Sequence, residues 1–262
     1  MGLELVNIEA GYKSLQVVFD VSATFESGRV TAIIGPNGAG KSTLIKALFG
    51  QADLYRGSIV LDGQVMESST PRQLVAAGAV YVPQLLNIFP SLSVRENLQV
   101  GTYIRKVAAS AEALERVLDL FPDLKGVLGK HAGKLSGGQR NMVAIGRALM
   151  SGPSVLMLDE ATAGLSPGLA QQVWGFLRRL ADSGLAICVV EQNVSGALEH
   201  SDFVYVLTSG RVRLCGEAPA LAANDELEAI FLGSEGEDSR ESAPQLSQNG
   251  GQRRELLRRR FR

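Results

Sequence analysis

Only two of the 262 residues are cysteines and only two are histidines. Cys188 and Cys215 stand far apart, each within an apolar run, which predicts two buried thiols in a reducing compartment. Four such residues scattered along the chain make no metal site. Excess charge is also missing: Lys and Arg total 26 against 27 Asp and Glu, a net charge of -1. The basic footprint that nucleic-acid binding usually needs is therefore absent in bulk, and no nucleic-acid partner is expected. No apolar run approaches the roughly 18 residues of a membrane span. Glu4 and Glu9 interrupt the opening stretch, so no signal peptide is read there. A cytosolic protein is expected, with any membrane association made through a partner. What remains is ordinary globular composition, 45% apolar and 20% charged, with 29 glycines of which many fall in short clusters. The length suits one larger domain, or a domain with a small subdomain.

Alternating or β-branched runs at 3–8, 15–25 and 29–34 predict strands, and a glycine-rich stretch at 35–40 leads into a helix over 41–49. Short strands follow at 57–62 and 79–82, with a Pro-initiated helix at 71–77 between them. Helical spacing at 94–100 and 111–120 marks a change of character, so 85–153 is expected to be a helical subdomain. Alternation then resumes. Residues 155–158 and 185–190 read as buried parallel strands. Residues 169–180 read as a helix with Leu169, Val173, Phe176, Leu177 and Leu180 on one face. A closing strand pair is expected at 203–207 and 211–215. Beyond Leu232 apolar residues are few, which predicts a disordered tail over 233–262. The tail ends in six arginines against one Glu over 253–262, a solvated end or a weak attraction to anionic lipid or RNA.

Three motifs carry chemistry. Gly35-Pro36-Asn37-Gly38-Ala39-Gly40-Lys41-Ser42-Thr43 fits the phosphate-loop pattern between an apolar strand and a helix. Its glycines let backbone N–H groups turn inward around an anion, and the helix N-terminus adds partial positive charge. Lys41 can reach the β- and γ-phosphates, and the Ser42 hydroxyl can ligate Mg²⁺. No Asn-Lys-x-Asp guanine signature accompanies the loop. Second, Ser136-Gly137-Gly138-Gln139 opens a helix, with Ser136 and Gln139 at capping-box spacing. A cap needs no glycine pair, and each glycine costs a helix roughly 1 kcal/mol. The pair makes sense where another molecule's phosphate approaches the backbone. Third, Asp159 and Glu160 end an apolar strand, where charge can face a ligand crevice rather than the core.

A Ser-Gly-Gly-Gln signature downstream of a phosphate loop resembles the ATP-binding cassette family, and the order of motifs covers nearly all of residues 1–232. The resemblance implies an α/β fold: a P-loop NTPase (RecA-like) core over 1–84 and 154–232, with an antiparallel β subdomain and an inserted helical subdomain at 85–153. It implies ATP and Mg²⁺ as ligands. Asp159 then organises the metal with Ser42, and Glu160 polarises the attacking water. Gln84, just past the strand at 79–82, resembles the glutamine that joins metal and water to the helical subdomain. Gln192 occupies the position where the family usually has a histidine sensing the γ-phosphate. Its amide can donate a hydrogen bond but carries no charge. Tyr12 stands where an aromatic stacks on adenine, or is simply a turn tyrosine. The apolar stretch 85–92 either packs under its own subdomain or lines a groove for a membrane subunit.

Two departures from the family pattern concern one loop. Ala161 replaces the usual Pro after the catalytic Glu, which is expected to loosen the loop without loss of activity. Ser166 replaces an Asp that makes contacts across a dimer, and Ser166-Pro167 suits a helix start. The run Ala144-Ile145-Gly146-Arg147-Ala148-Leu149-Met150, the Gly164-Leu165-Ser166-Pro167 loop and Val190-Glu191-Gln192-Asn193 resemble the branched-chain amino acid ATP-binding subunits. That implies an importer ATPase, peripheral on the cytoplasmic face of the membrane. Its partners would be two permease subunits, a second cassette bound head to tail (identical or not) and, indirectly, an external solute-binding protein. Relatives of that group also handle urea or amides. A non-transport cassette acting on nucleic acid or ribosomes is the alternative.

Overall fold

The computed structural model describes residues 2–66, 70–84, 88–104 and 111–237, with side chains to Phe231. Strands β1 (Gly2–Tyr12), β2 (Leu15–Glu26), β4 (Asp53–Leu61) and β5 (Gln64–Val65) form an antiparallel sheet in which β1 lies between β2 and β4. A second sheet runs in the order β10 (Arg211–Glu217), β9 (Phe203–Thr208), β3 (Val30–Ile34), β8 (Ala186–Val190), β7 (Val155–Asp159) and β6 (Ala79–Val82). It is parallel from β9 to β6, with β10 as an antiparallel edge. Every residue of β3, β7 and β8 is buried, as strands covered on both faces must be.

Side-chain alternation along the strands divides the core. From β7, Val155 and Met157 join one cluster, with Leu3, Leu5 and Phe25 of the antiparallel sheet and with Leu44 of α1 (Lys41–Leu48). Leu156 and Leu158 point the other way. There they meet Leu98 of α3 (Val94–Val100), Val143 of α5 (Gly137–Leu149) and Trp174 and Leu177 of α6 (Pro167–Asp182). Between β6 and β7 the chain is helical, with α3, α4 (Ala111–Leu120), two 3₁₀ turns and α5. Capping boxes start α2 (Pro71–Ala77), α3 and α5, from Thr70, Ser93 and Ser136. Among the described residues no helix is long and apolar enough to cross a membrane.

Several sequence expectations need correction. Strand β4 starts at Asp53, not at 57, because Asp53, Leu54 and Arg56 pair with β1 although their side chains are exposed and show no alternation. Cys188 is buried, but Cys215 is exposed. It lies on β10, which among the described residues is the edge strand of its sheet and turns alternate residues outward. Helix α6 begins two residues early, at Pro167, and buries Trp174, which the predicted face omitted. Ser166 is its N-cap by backbone angle with Pro167 at N1, yet its hydroxyl makes no cap hydrogen bond.

At the C-terminal end, α7 (Val194–His200), α8 (Ala218–Ala222) and α9 (Asp225–Glu237) escaped the sequence reading. Helix α9 runs past Leu232 into the stretch expected to be disordered. Three acids in its first turn suit the helix dipole, and Leu227, Ile230 and Phe231 pack into a cluster with Ala197, Val204 and Leu221. Once docked, a helix extends at little cost per residue. The remainder of the expected tail, 238–262, lies outside the described residues, as do 85–87 of the apolar stretch. Of that stretch, Ile88 packs against the helical core while Phe89 is 47% exposed.

Candidate active site

The site forms where β3, β7 and β8 end side by side. Strand β3 delivers the phosphate loop directly, with Gly35 at its C-terminal end and Gly40 as the N-cap of α1. Gly40 has φ 96, and its cap position carries no side-chain hydrogen bond. An added Cβ there would lie 3.3 Å from the Val17 carbonyl of β2, so glycine is needed both for the angle and for the close approach of that strand. The first turn of α1 thus begins without a side-chain cap competing for its amides, which suits an anion. Asn37 and Gly38 stand exposed at the loop's crest.

Lys41 is buried, and its Nζ donates to the carbonyls of Gly35 (2.8 Å) and Pro36 (3.0 Å). Burial lowers the ammonium pKa, while the charges of Glu160 and Asp159 oppose the shift. Asp159 ends β7 and takes one hydrogen bond on each oxygen. Ser42 Oγ donates to Oδ1 at 3.0 Å and the Tyr81 hydroxyl to Oδ2 at 3.1 Å. Burial and the adjacent carboxylate push the Tyr81 phenol far above its ordinary value, so it remains a donor. Tyr81 belongs to β6 and stacks on Phe49 at 5.4 Å.

Glu160 follows with φ 53, a left-handed conformation uncommon for a residue with a side chain. Its amide donates to the Val190 carbonyl at 2.8 Å. Its two carboxylate oxygens receive two different glutamine amides, Gln84 Nε2 on Oε2 and Gln192 Nε2 on Oε1. Gln84 and Gln192, distant in sequence, therefore converge on one carboxylate. Gln84 bonds to Glu160 rather than to the Ser42–Asp159 pair, so of the three residues read as metal-holding only two are in contact.

The oxygens of Ser42 and Asp159 are a hard donor set of the kind Mg²⁺ takes, and Mg²⁺ commonly needs only one or two protein ligands beside substrate phosphates. Among the described residues no cluster of three His, Cys, Asp or Glu offers a self-sufficient metal cage. The residues fit a metal brought in with phosphate better than a permanently held one.

Tyr12 closes the turn between β1 and β2 and is 41% exposed. Two side chains of β4 brace that turn. Tyr55 Oη donates to the Lys13 carbonyl at 2.8 Å, and the Lys13 amide donates to Asp53 Oδ2 at 2.7 Å. Ser136–Gln139 lies apart: among the described residues no hydrogen bond joins it to the phosphate loop. Its capping box is formed, with both bonds at 3.3 Å. An added Cβ on Gly138 would meet the Leu169 side chain at 3.2 Å, whereas one on Gly137 would meet nothing within 4 Å. Packing accounts for the second glycine of the pair and not for the first.

Three features went unread in the sequence. Tyr81 looked like strand core. Asn141, in the second turn of α5, donates to the Ala161 carbonyl at 3.3 Å and so ties the signature helix to the loop after Glu160. A cavity of about 140 Å³ lies beside that bond, lined by Gln84, Asn141, Ile145, Glu160 and Ala161. Glu191 is buried, and its Oε1 accepts from both the amide (3.1 Å) and the hydroxyl (2.8 Å) of Thr162.

Residues 18–163 match the ABC transporter family. The chain is 41% identical over 232 residues to a probable branched-chain amino acid transport ATP-binding protein, LivF, of Archaeoglobus fulgidus, covering 88% of this chain and 98% of that one. It is 36% identical over 231 residues to the high-affinity branched-chain amino acid transport ATP-binding protein BraG of Pseudomonas aeruginosa, covering 88% and 99%. A crystal structure of the ADP conformation of an ATP-binding cassette of an ABC transporter superposes with TM-score 0.77 at 28% identity, covering 88% and 98%. With the phosphate loop, the paired carboxylates and the signature helix in place, the chain belongs to the ABC transporter family as an ATP-binding, ATP-hydrolysing cassette.

Proposed function

We propose that this cassette powers import of branched-chain or related amino acids, seated on the cytoplasmic face of a membrane beneath two permease subunits. A second cassette, identical or related, completes each ATP site by presenting its Ser136–Gln139 segment head to tail. The unfilled side of Gly137 supports that reading, because among the described residues nothing within 4 Å would meet a side chain there. The names of the two relatives above support the solute class, and they favour transport over a role on nucleic acid or ribosomes.

The observation that carries the chemistry is the division of labour between adjacent carboxylates. Asp159 faces Ser42 and Glu160 faces two glutamine amides. Ser42 and Asp159 would hold Mg²⁺, which supplies charge neutralisation at the phosphates. Residues 35–43 cradle the phosphates through backbone amides, Lys41 adds its charge and Tyr12 stacks on the base. Glu160 accepts a proton from water as the water oxygen bonds to the γ-phosphorus. The bond from that phosphorus to the β,γ-bridging oxygen breaks, leaving ADP and phosphate. Gln192 and Gln84 orient the carboxylate, and Gln192 also reaches the γ-phosphate. Such catalysis is mainly positioning and electrostatics.

Glu160→Gln tests the assignment in the assembled transporter. ATP affinity is expected to hold while turnover falls by about 10²- to 10⁴-fold, the usual share of a general base. Parent turnover in that variant would overturn it. Uptake of labelled leucine into vesicles carrying the complex, lost in Glu160→Gln, tests the solute.

A further inference from the structure

Glu191 is a buried carboxylate outside the machinery described above. It is 2% exposed and lies near a second acid, Glu160, so its burial is costly and needs compensation. Three donors supply that compensation: the Thr162 backbone amide, the Thr162 hydroxyl and the backbone amide of Gln192. Its own amide donates to the Ile33 carbonyl at 3.1 Å, at the end of the strand that carries the phosphate loop.

The order of these contacts matters. Three successive residues at the end of β8 grip the loop after β7. The Val190 carbonyl takes the Glu160 backbone amide, the Glu191 carboxylate takes Thr162, and the Gln192 side-chain amide donates to the Glu160 carboxylate. Between the first two grips sits the left-handed backbone of Glu160, at φ 53. A non-glycine residue persists there only when its surroundings over-determine it. Ala161, which replaces a stiffer Pro in the family pattern, leaves that task to the flanking contacts.

We infer that Glu191 is a positioning residue which, through Thr162, fixes the loop so that the Glu160 carboxylate meets both glutamine amides. This rests on the reading of Glu160 as the base. The paired contact also joins the loop leading to Ser166 with the segment that carries Gln192.

Thr162→Val and Thr162→Ser, measured in the assembled transporter beside Glu160→Gln, test it. Loosening the base lowers kcat without touching nucleotide binding, and a misplacement of about 1 Å can cost up to about 10²-fold. Thr162→Val is expected to lose about tenfold or more in kcat, with KM and the equilibrium affinity for a fluorescent ATP analogue within about twofold of the parent. Thr162→Ser, which keeps the hydroxyl, restores turnover. Thr162→Ala reads the same loss should Thr162→Val fail to fold. Parent kcat in Thr162→Val or Thr162→Ala overturns the inference. So does an affinity loss matching the turnover loss, or failure of Thr162→Ser to rescue. Parent turnover in Glu160→Gln overturns the base assignment and this inference with it. A dead Glu160→Gln beside a fully active Thr162→Val sinks the inference alone.

Discussion

The Tyr81 hydroxyl donates to Asp159 Oδ2 at 3.1 Å, on the oxygen that Ser42 does not use. Asp159 is thereby held from both sides, and its Oδ1 stays turned toward the phosphate loop. Partners of this kind commonly tune a metal-holding carboxylate by about 10- to 100-fold in metal affinity. Tyr81→Phe keeps the ring and its stack on Phe49 while removing the donor. It is expected to raise the Mg²⁺ concentration for half-maximal hydrolysis about tenfold and to weaken Mn²⁺ binding in the presence of ATP, read by electron paramagnetic resonance. An unchanged metal titration would reduce Tyr81 to a packing residue.

The two signature glycines should separate on substitution. Gly138→Val drives a side chain into Leu169 and should cost about 1–3 kcal/mol of stability in urea unfolding, as overpacking does. Gly137→Ala meets open space. It should leave stability unchanged or raise it by at most about 1 kcal/mol, the helix-propensity gain. The same variant should lose ATP-driven association, followed by size exclusion in a Glu160→Gln background. Normal association in Gly137→Ala would refute the role given to that residue.

Arg178 tests the scaffold without touching nucleotide. Its guanidinium donates to both oxygens of Asp202 (3.0 and 2.7 Å), to Asp182 and to the Gly28 carbonyl, and Asp202 in turn accepts the first amide of β3 at 2.7 Å. Both charged groups are about a third exposed, so screening reduces the Coulombic part and hydrogen bonding dominates. Arg178→Met should destabilise by about 1–2 kcal/mol in thermal or urea unfolding, with ATP affinity retained. A stability unchanged from the parent would show that water replaces these bonds at no cost.

Lys41 gives a stability slope with a defined sign. Burial holds its ammonium below the ordinary 10.5. The unfolded chain therefore binds that proton more tightly than the folded one, and from the depressed value up to the ordinary one stability rises with pH. Urea midpoints of parent and Lys41→Met, compared between about pH 8 and pH 10, should show a smaller rise, or a steeper fall, in the variant. Parallel curves would mean that the lysine is not desolvated in solution. Lys41→Met should also lose ATP binding.

What the sequence made legible was what local pattern encodes. The phosphate loop, the capping box at Ser136 and the acids at the end of β7 each announce themselves within a few residues. Contacts made across the fold do not. Tyr81 sits in a four-residue strand where tyrosine reads as core, and its role depends on Asp159 arriving in the neighbouring strand. Asn141 looks like any exposed polar residue of a helix until α5 packs beside Ala161. Glu191 reads as a preface to Gln192, because nothing near it in sequence reveals that Thr162 will bond its carboxylate. Cys215 misled for the converse reason: an apolar neighbourhood in sequence became the outer face of an edge strand.

Strands β6 and β7 are neighbours at the margin of the parallel sheet, with Val82 paired to Leu158. The described helices between them therefore leave and rejoin the sheet on adjacent strands, like a page bound at a spine. Any swing of that page about its binding would drag Gln84, the next residue but one after β6, across the Glu160 carboxylate it bonds. Mechanical work arriving from outside the sheet then reaches the Glu160 loop through two side-chain amides, Gln84 on the carboxylate and Asn141 on the Ala161 carbonyl.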